Sequence, residues 1–204
     1  KCQGHAPVEV TPDVTVATSG ATKLELESLD LKNSTIVLRS DLVSAGFTQG
    51  FYFKPRIDKE LLEKHHEGLI CLSACLAGEI PQKLLHGDYT KARELTNYFN
   101  NLFGKGNFFL ELQDHGIPEQ RAVNQQLMRL HKDTGIEMVA TNDVHYLNKS
   151  DADTQAIMMC IQTNSKITDA KNIGFETNEF YYKSTEEMKA LFPDVPEAIT
   201  NTAK

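Results

Sequence analysis

Two kinds of patterning divide the chain. Residues 1–40 are rich in Val and Thr and alternate apolar with polar positions, as in KLELESLDL (23–31). Alternation with a period of two predicts short strands joined by turns. From Asp41 to residue 204 the pattern becomes short apolar runs separated by longer segments whose apolar positions recur every three or four residues. LICLS (69–73), NFFLELQ (107–113) and IEMVAT (136–141) read as buried strands. PRIDKELLEKHHEG (55–68) reads as a helix stopped by Gly68. In DYTKARELTNYFNNLFG (88–104), Ala92, Leu95, Phe99, Leu102 and Phe103 share one helical face, with Asp88 as cap and Gly104 as stop. IPEQRAVNQQLMRLHKDTG (117–135) has Pro118 near its start and Gly135 after its end. Asp151 opens a further helix over 151–163. Ser184 with Glu187 three residues on forms a capping box.

Strand and helix alternating at this spacing predict an α/β fold with a parallel sheet or barrel. In such folds functional groups collect at the carboxyl ends of strands. Cys75, Gln113 to His115, Asp143 and His145 all fall there. The sequence has no internal repeat or low-complexity tract, so the organisation expected is a β-rich segment over 1–40 and an α/β portion over 41–204.

Composition narrows the function classes. The chain has 204 residues, of which 40% are hydrophobic and 24% charged, enough for one sizeable core. No signal peptide or 18-residue apolar span stands out, so secretion and membrane insertion are not expected. Cys2, Cys71, Cys75 and Cys160 form no disulfide-rich framework, and reduced thiols in the cytoplasm follow. A net charge of −7 makes the chain by itself a poor general nucleic-acid binder, because such affinity comes largely from neutralising phosphates.

The candidate chemistry lies in four stretches. In VATNDVHYL (139–147), Asp143 and His145 are two positions apart after a strand, a carboxylate and an imidazole suited to a hard or borderline cation. The competing reading is an Asn-Asp turn followed by a half-exposed His. Cys75 is either a thiolate ligand at a neighbouring strand end or a small core residue. LELQDHGIPEQ (110–120) offers Glu111, Asp114 and His115, with Asp-His-Gly equally a strand-to-helix turn. GFYFKPR (50–56) interleaves aromatic residues with Lys54 and Arg56, a patch able to meet bases and phosphates or simply to form a solvated loop. His65, His66, His86 and His131 read as helix-surface residues. No nucleophile elbow, Walker loop or G-x-G-x-x-G is present.

Taken in order, GFYFKPRIDKELLEKHHEGLICLSACLAGEIPQKLL, FFLELQDHGIPEQ, VATNDVHYL, CIQT and EFYYKSTEEMKALFPDVPEAITNT closely resemble the PHP (polymerase and histidinol phosphatase) domain of bacterial replicative DNA polymerase III alpha subunits, over roughly residues 41–204. The resemblance implies a distorted (β/α)7 barrel, here partial, and a cluster of up to three divalent ions (Zn, Mn or Fe). It carries ligand roles onto Cys75, Asp143 and His145, with Glu9 in PVEVTP as an echo of a further one. Glu111 and His115 belong to the motif and are placed beside the site, not in it.

The departures shape the functional expectation. The family's opening H-x-H strand and Asp-His motif have no counterpart here, so the chain looks like the second half of the domain behind a divergent beginning. Metal-dependent 3′–5′ exonuclease chemistry is what an intact ligand set implies. With this set, weak or absent activity is expected. The rival readings are a non-catalytic module that stabilises the polymerase, and a freestanding phosphoesterase of the histidinol phosphatase kind. Implied partners are the rest of the polymerase chain, replicative DNA through it, and a proofreading subunit.

Overall fold

The alternating segment near the N-terminus forms antiparallel pairs, as its period-two pattern requires. In the computed structural model, which describes residues 9–10, 26–30, 35–38, 59–166, 168 and 174–204, β1 (Glu9–Val10), β2 (Leu26–Asp30) and β3 (Thr35–Leu38) make a sheet with β3 in the middle. Glu9 pairs with Val37, and Leu29 with Ile36. The unit that holds these strands runs from Lys1 to Ile70 and includes α1 (Lys59–His65). The second compact unit runs from Cys71 to Lys204.

That second unit is built on β4 (Cys71–Leu72), α2 (Glu79–Leu85), α3 (Tyr89–Phe103), β5 (Phe108–Leu112), α4 (Pro118–Thr134) and β6 (Met138–Ala140). The three strands pair in parallel with β5 in the centre; Cys71 faces Phe108 and Leu110 faces Met138. Strands of a parallel sheet covered on both faces are apolar almost throughout. In β5, Phe108, Phe109, Leu110 and Leu112 are buried while Glu111 is half-buried. Val123, Leu127 and Leu130 of α4, and Ala92, Leu95 and Phe103 of α3, complete this core. The α/β architecture expected from the alternation is therefore present, with a parallel three-strand sheet consistent with a partial barrel.

Helix ends follow the local chemistry. Asp88 accepts the Lys91 N–H at 3.0 Å, and Gly135 takes a left-handed φ of 70° after α4. A single 3-10 turn (Lys149–Asp151) precedes α5 (Ala152–Thr163), so Asp151 closes that turn and α5 begins one residue later. Then follow α6 (Thr185–Leu191), α7 (Pro196–Thr200) and a 3-10 turn (Asn201–Ala203). Two elements, α2 and α7, carry no clear apolar period and are short pieces around Pro81 and Pro196. Proline is tolerated in a first turn because its missing N–H has no partner to lose there.

Candidate functional site

The carboxyl ends of β4, β5 and β6 open on one edge of the sheet, and the loops that leave them carry the quoted motifs. After β4, the Ser73 N–H donates to the Phe109 carbonyl at 3.0 Å, and Ser73 Oγ accepts the Glu111 N–H at 2.8 Å. Ser73 thus continues the β4–β5 join with its side chain. The backbone then turns sharply at Ala74, whose φ is 68°. It comes back so close that a Cβ on Gly78 would lie 2.4 Å from the Ser73 carbonyl oxygen. This is the physical content of SACLAGE: a small-residue hairpin that ends the strand after two residues and leaves the free Cys75 thiol exposed.

After β5, Glu111 turns away from the core, as alternation with Leu110 and Leu112 predicts. Its Oε1 accepts hydrogen bonds from Thr141 Oγ1 and from Gln113 Nε2 at 3.1 Å. The carboxylate is therefore a cross-strand tie between β5 and the end of β6. With Cys75, Gln113, Gln120 and Asn124 it lines a small cavity, which neither Asp143 nor His145 reaches. Asp114 is turn chemistry: its Oδ1 accepts the Gly116 N–H at 2.8 Å, Gly116 has φ 78°, and Arg121 Nε donates to Oδ2 at 3.2 Å.

His115 is fully buried. Its backbone N–H donates to Gln120 Oε1 at 2.8 Å, which fixes the Gln120 amide so that Nε2 is the atom facing His115 Nδ1, at 2.9 Å. Gln120 Nε2 can only donate, so Nδ1 accepts. The other ring atom, Nε2, lies 2.7 Å from the Asn142 carbonyl, which can only accept, so Nε2 carries the proton. Both ring nitrogens are committed to protein partners, and His115 stands beside the site without a free electron pair for an ion.

Asp143 and His145 are brought together. After β6 the backbone takes a φ of 47° at Asp143, and His145 Nε2 comes to 3.3 Å from Asp143 Oδ1. The side chains are 43% and 36% exposed, respectively. Left-handed φ at a non-glycine residue costs on the order of 1–2 kcal/mol and persists only where the surroundings impose it. Two such residues, Ala74 and Asp143, sit at strand ends beside the expected ligands. The His145 ring rests against Phe175 with centroids 4.4 Å apart, and the His145 backbone N–H donates to the Phe180 carbonyl at 2.8 Å.

With metal–ligand bonds of about 2.0–2.2 Å, adjacent ligands of a tetrahedral or octahedral ion stand roughly 3 to 3.5 Å apart. The 3.3 Å between Asp143 Oδ1 and His145 Nε2 fits two neighbouring positions on one ion. Among the described residues, no group of three or more His, Cys, Asp or Glu converges. Sheet order explains why Cys75 does not join the pair. It leaves β4 and they leave β6, with β5 between, so the strand ends are about 10 Å apart at two interstrand spacings. Lys54, Arg56 and the side chain of Glu9 lie outside the described residues.

Sequence reasoning missed the groups that hold the Asp143 loop. Asn142 Oδ1 accepts from Lys183 Nζ at 3.2 Å and Asn142 Nδ2 donates to the Tyr181 carbonyl at 2.8 Å. The Tyr146–Tyr181 bridge runs beside them. Burial pushes the Lys183 ammonium below its ordinary range, while Glu179 and Glu187 pull it up. The signal in the sequence is EFYYKS itself, a short aromatic run with one lysine. His131 also differs from a surface residue: Nδ1 lies 2.7 Å from the Ile136 carbonyl and ties the end of α4 to the strand that follows.

The PHP domain family model matches residues 15–115. DNA polymerase III subunit alpha of Borreliella burgdorferi is 47% identical over 163 residues, 80% of this chain and 14% of the relative. The Treponema pallidum protein of the same name is 46% identical over 163 residues, again 80% and 14%. The one from Thermus aquaticus is 44% identical over 153 residues, 75% of this chain and 12% of the relative. The chain thus spans about one seventh of the length of these curated relatives. No helix among the described residues is long and apolar enough to cross a membrane.

Proposed function

Because the chain belongs to the PHP-domain family of bacterial DNA polymerase III alpha subunits, we propose that it is the PHP module of a cytoplasmic replicative polymerase, with one divalent-cation position at Asp143–His145 and a mainly structural task. The observation that carries this reading is the 3.3 Å pair standing without a third acidic, imidazole or thiol donor among the described residues. Two protein ligands hold an ion weakly and leave most of its coordination to water, whereas a nuclease needs its ions fixed against the scissile phosphate.

The residues divide the work accordingly. Asp143 would supply a carboxylate oxygen and His145 a ring nitrogen to a Zn, Mn or Fe ion. When bound, that ion supplies positive charge for a phosphate and a water made more acidic. Cys75 stays at the neighbouring strand end as an exposed thiol. Glu111, Gln113 and Thr141 lock β5 to β6 so that the loops start from a rigid edge. Partners in this reading are the rest of the polymerase polypeptide, replicative DNA through that polypeptide, and a proofreading subunit.

The test is a Mn²⁺-dependent nuclease assay on a primer with a mismatched 3′ end, comparing the chain with its Asp143→Ala variant. Equal, background-level release of the terminal nucleotide is expected. Robust release by the chain that vanishes in the variant would make it a working exonuclease and overturn the structural assignment.

A further inference from the structure

The fully buried His115 touches the Asn142 end of the Asp143–His145 loop directly and reaches its His145 end through Phe180. Through its ring proton it holds the Asn142 carbonyl at 2.7 Å, and Asn142 is the residue that delivers the chain into the left-handed turn at Asp143. Through its ring face it stacks on Phe180, with centroids 4.0 Å apart and planes 7° from parallel. Phe180 in turn accepts the His145 N–H through its carbonyl, and its ring stacks at 4.4 Å on Phe175, against which the His145 ring rests. One buried imidazole thus fixes the backbone ahead of Asp143 and the wall behind His145.

From this geometry we infer that His115 is the positioning residue of the Asp143–His145 pair, and that Gln120 sets its tautomer. The inference rests on the metal reading only for what the pair is positioned to do. Gln120 accepts from the His115 backbone and therefore must donate to its ring, which keeps the proton on Nε2, the atom that faces Asn142. The Thr177 hydroxyl donates to the His115 carbonyl at 2.7 Å and fixes the residue from a third side. With the proton on the other nitrogen, two lone pairs would face each other at the Asn142 carbonyl and the loop would lose its anchor. The groups that orient metal ligands from outside typically change affinity roughly 10- to 100-fold when removed.

The experiment uses nitrogen-15-labelled full chain in solution, with His115→Phe and Gln120→Leu variants. Phe keeps the stack on Phe180 and deletes both ring hydrogen bonds; Leu deletes the tautomer control. The wild-type ring spectrum is expected to show the proton on Nε2 of His115 and a bare Nδ1. In His115→Phe the amide signals of Asp143 and His145 should shift, and Mn²⁺ broadening of His145 should need roughly 10-fold or more higher Mn²⁺, while the circular dichroism spectrum is retained. Gln120→Leu should show a mixture of His115 tautomers. A His115 proton on Nδ1, or unmoved Asp143 and His145 signals in both variants, would overturn the inference. Should His115→Phe fail to fold, Gln120→Leu decides by the same signals. If wild-type His145 is not broadened by Mn²⁺ at all, the metal reading falls, and the amide shifts still decide the role of His115.

Discussion

Lys183 Nζ donates to Asn142 Oδ1 across 3.2 Å from a side chain that is only 2% exposed, and it also donates to the Glu179 carbonyl. An ammonium buried this far loses hydration, and that loss, the largest effect on it, pushes its pKa below the ordinary 10.5. Between the lowered folded value and 10.5, the unfolded chain holds a proton that the folded chain has given up. Folding stability therefore gains from this group as pH rises through that window. Urea unfolding across the alkaline range below pH 10.5 should show a rise in wild-type stability that is missing in Lys183→Met. Identical pH slopes in the two proteins would refute the burial argument.

Close approach at Gly78 gives a second expectation. A methyl group there would meet the Ser73 carbonyl oxygen at 2.4 Å, a contact with backbone that cannot swing aside. Gly78→Ala should lose about 1–3 kcal/mol, as overpacking generally does. It should also disturb the Ser73–Glu111 tie, since the two share one turn. Denaturant midpoints check the first effect, and slowed or speeded hydrogen exchange at the Glu111 amide checks the second.

The start of α6 titrates. Ser184 N–H donates to Glu187 Oε2 at 2.7 Å and the Tyr181 hydroxyl donates to Oε1 at 2.7 Å. The backbone bond, more than any other contact, holds the Glu187 carboxyl below its usual 4.5, and the same carboxylate pushes the Tyr181 hydroxyl up to about 12. With a folded value below the unfolded one, the contribution of Glu187 is complete above 4.5 and disappears as pH falls through the lowered value. Glu187→Gln should be less stable than wild type near neutral pH and converge with it in acid. A gap that stays constant into acid would show that the capping box does not depend on charge.

Much of this was legible in the sequence wherever one local rule decided the outcome. FFLEL is apolar but for Glu111 and forms a buried strand; Asp88 and the Ser184–Glu187 box begin their helices, and Gly135 ends its own, as their chemistry dictates. The first strand is shorter than its apolar run because the turn at Ala74 cuts LICLS down to Cys71–Leu72, and no propensity announces a left-handed alanine. In α5 the apolar residues look like a core face, yet Met158 and Ile161 are 59% and 77% exposed. At the site, Asp143 and His145 could be paired from spacing. Their supports, Gln120, Asn142, and Phe180 with Lys183, come from three separate segments. Only the folded chain shows that an amide on α4 chooses the tautomer of a histidine that anchors a loop after β6.

The most direct test of the central claim is an equilibrium Mn²⁺ titration of the metal-free chain, followed by electron paramagnetic resonance of the free ion. Uptake of one ion, lost in both Asp143→Ala and His145→Ala and retained in Cys75→Ser, is the result predicted for a module whose cation position is this pair. No uptake, or uptake that survives both substitutions, would contradict it.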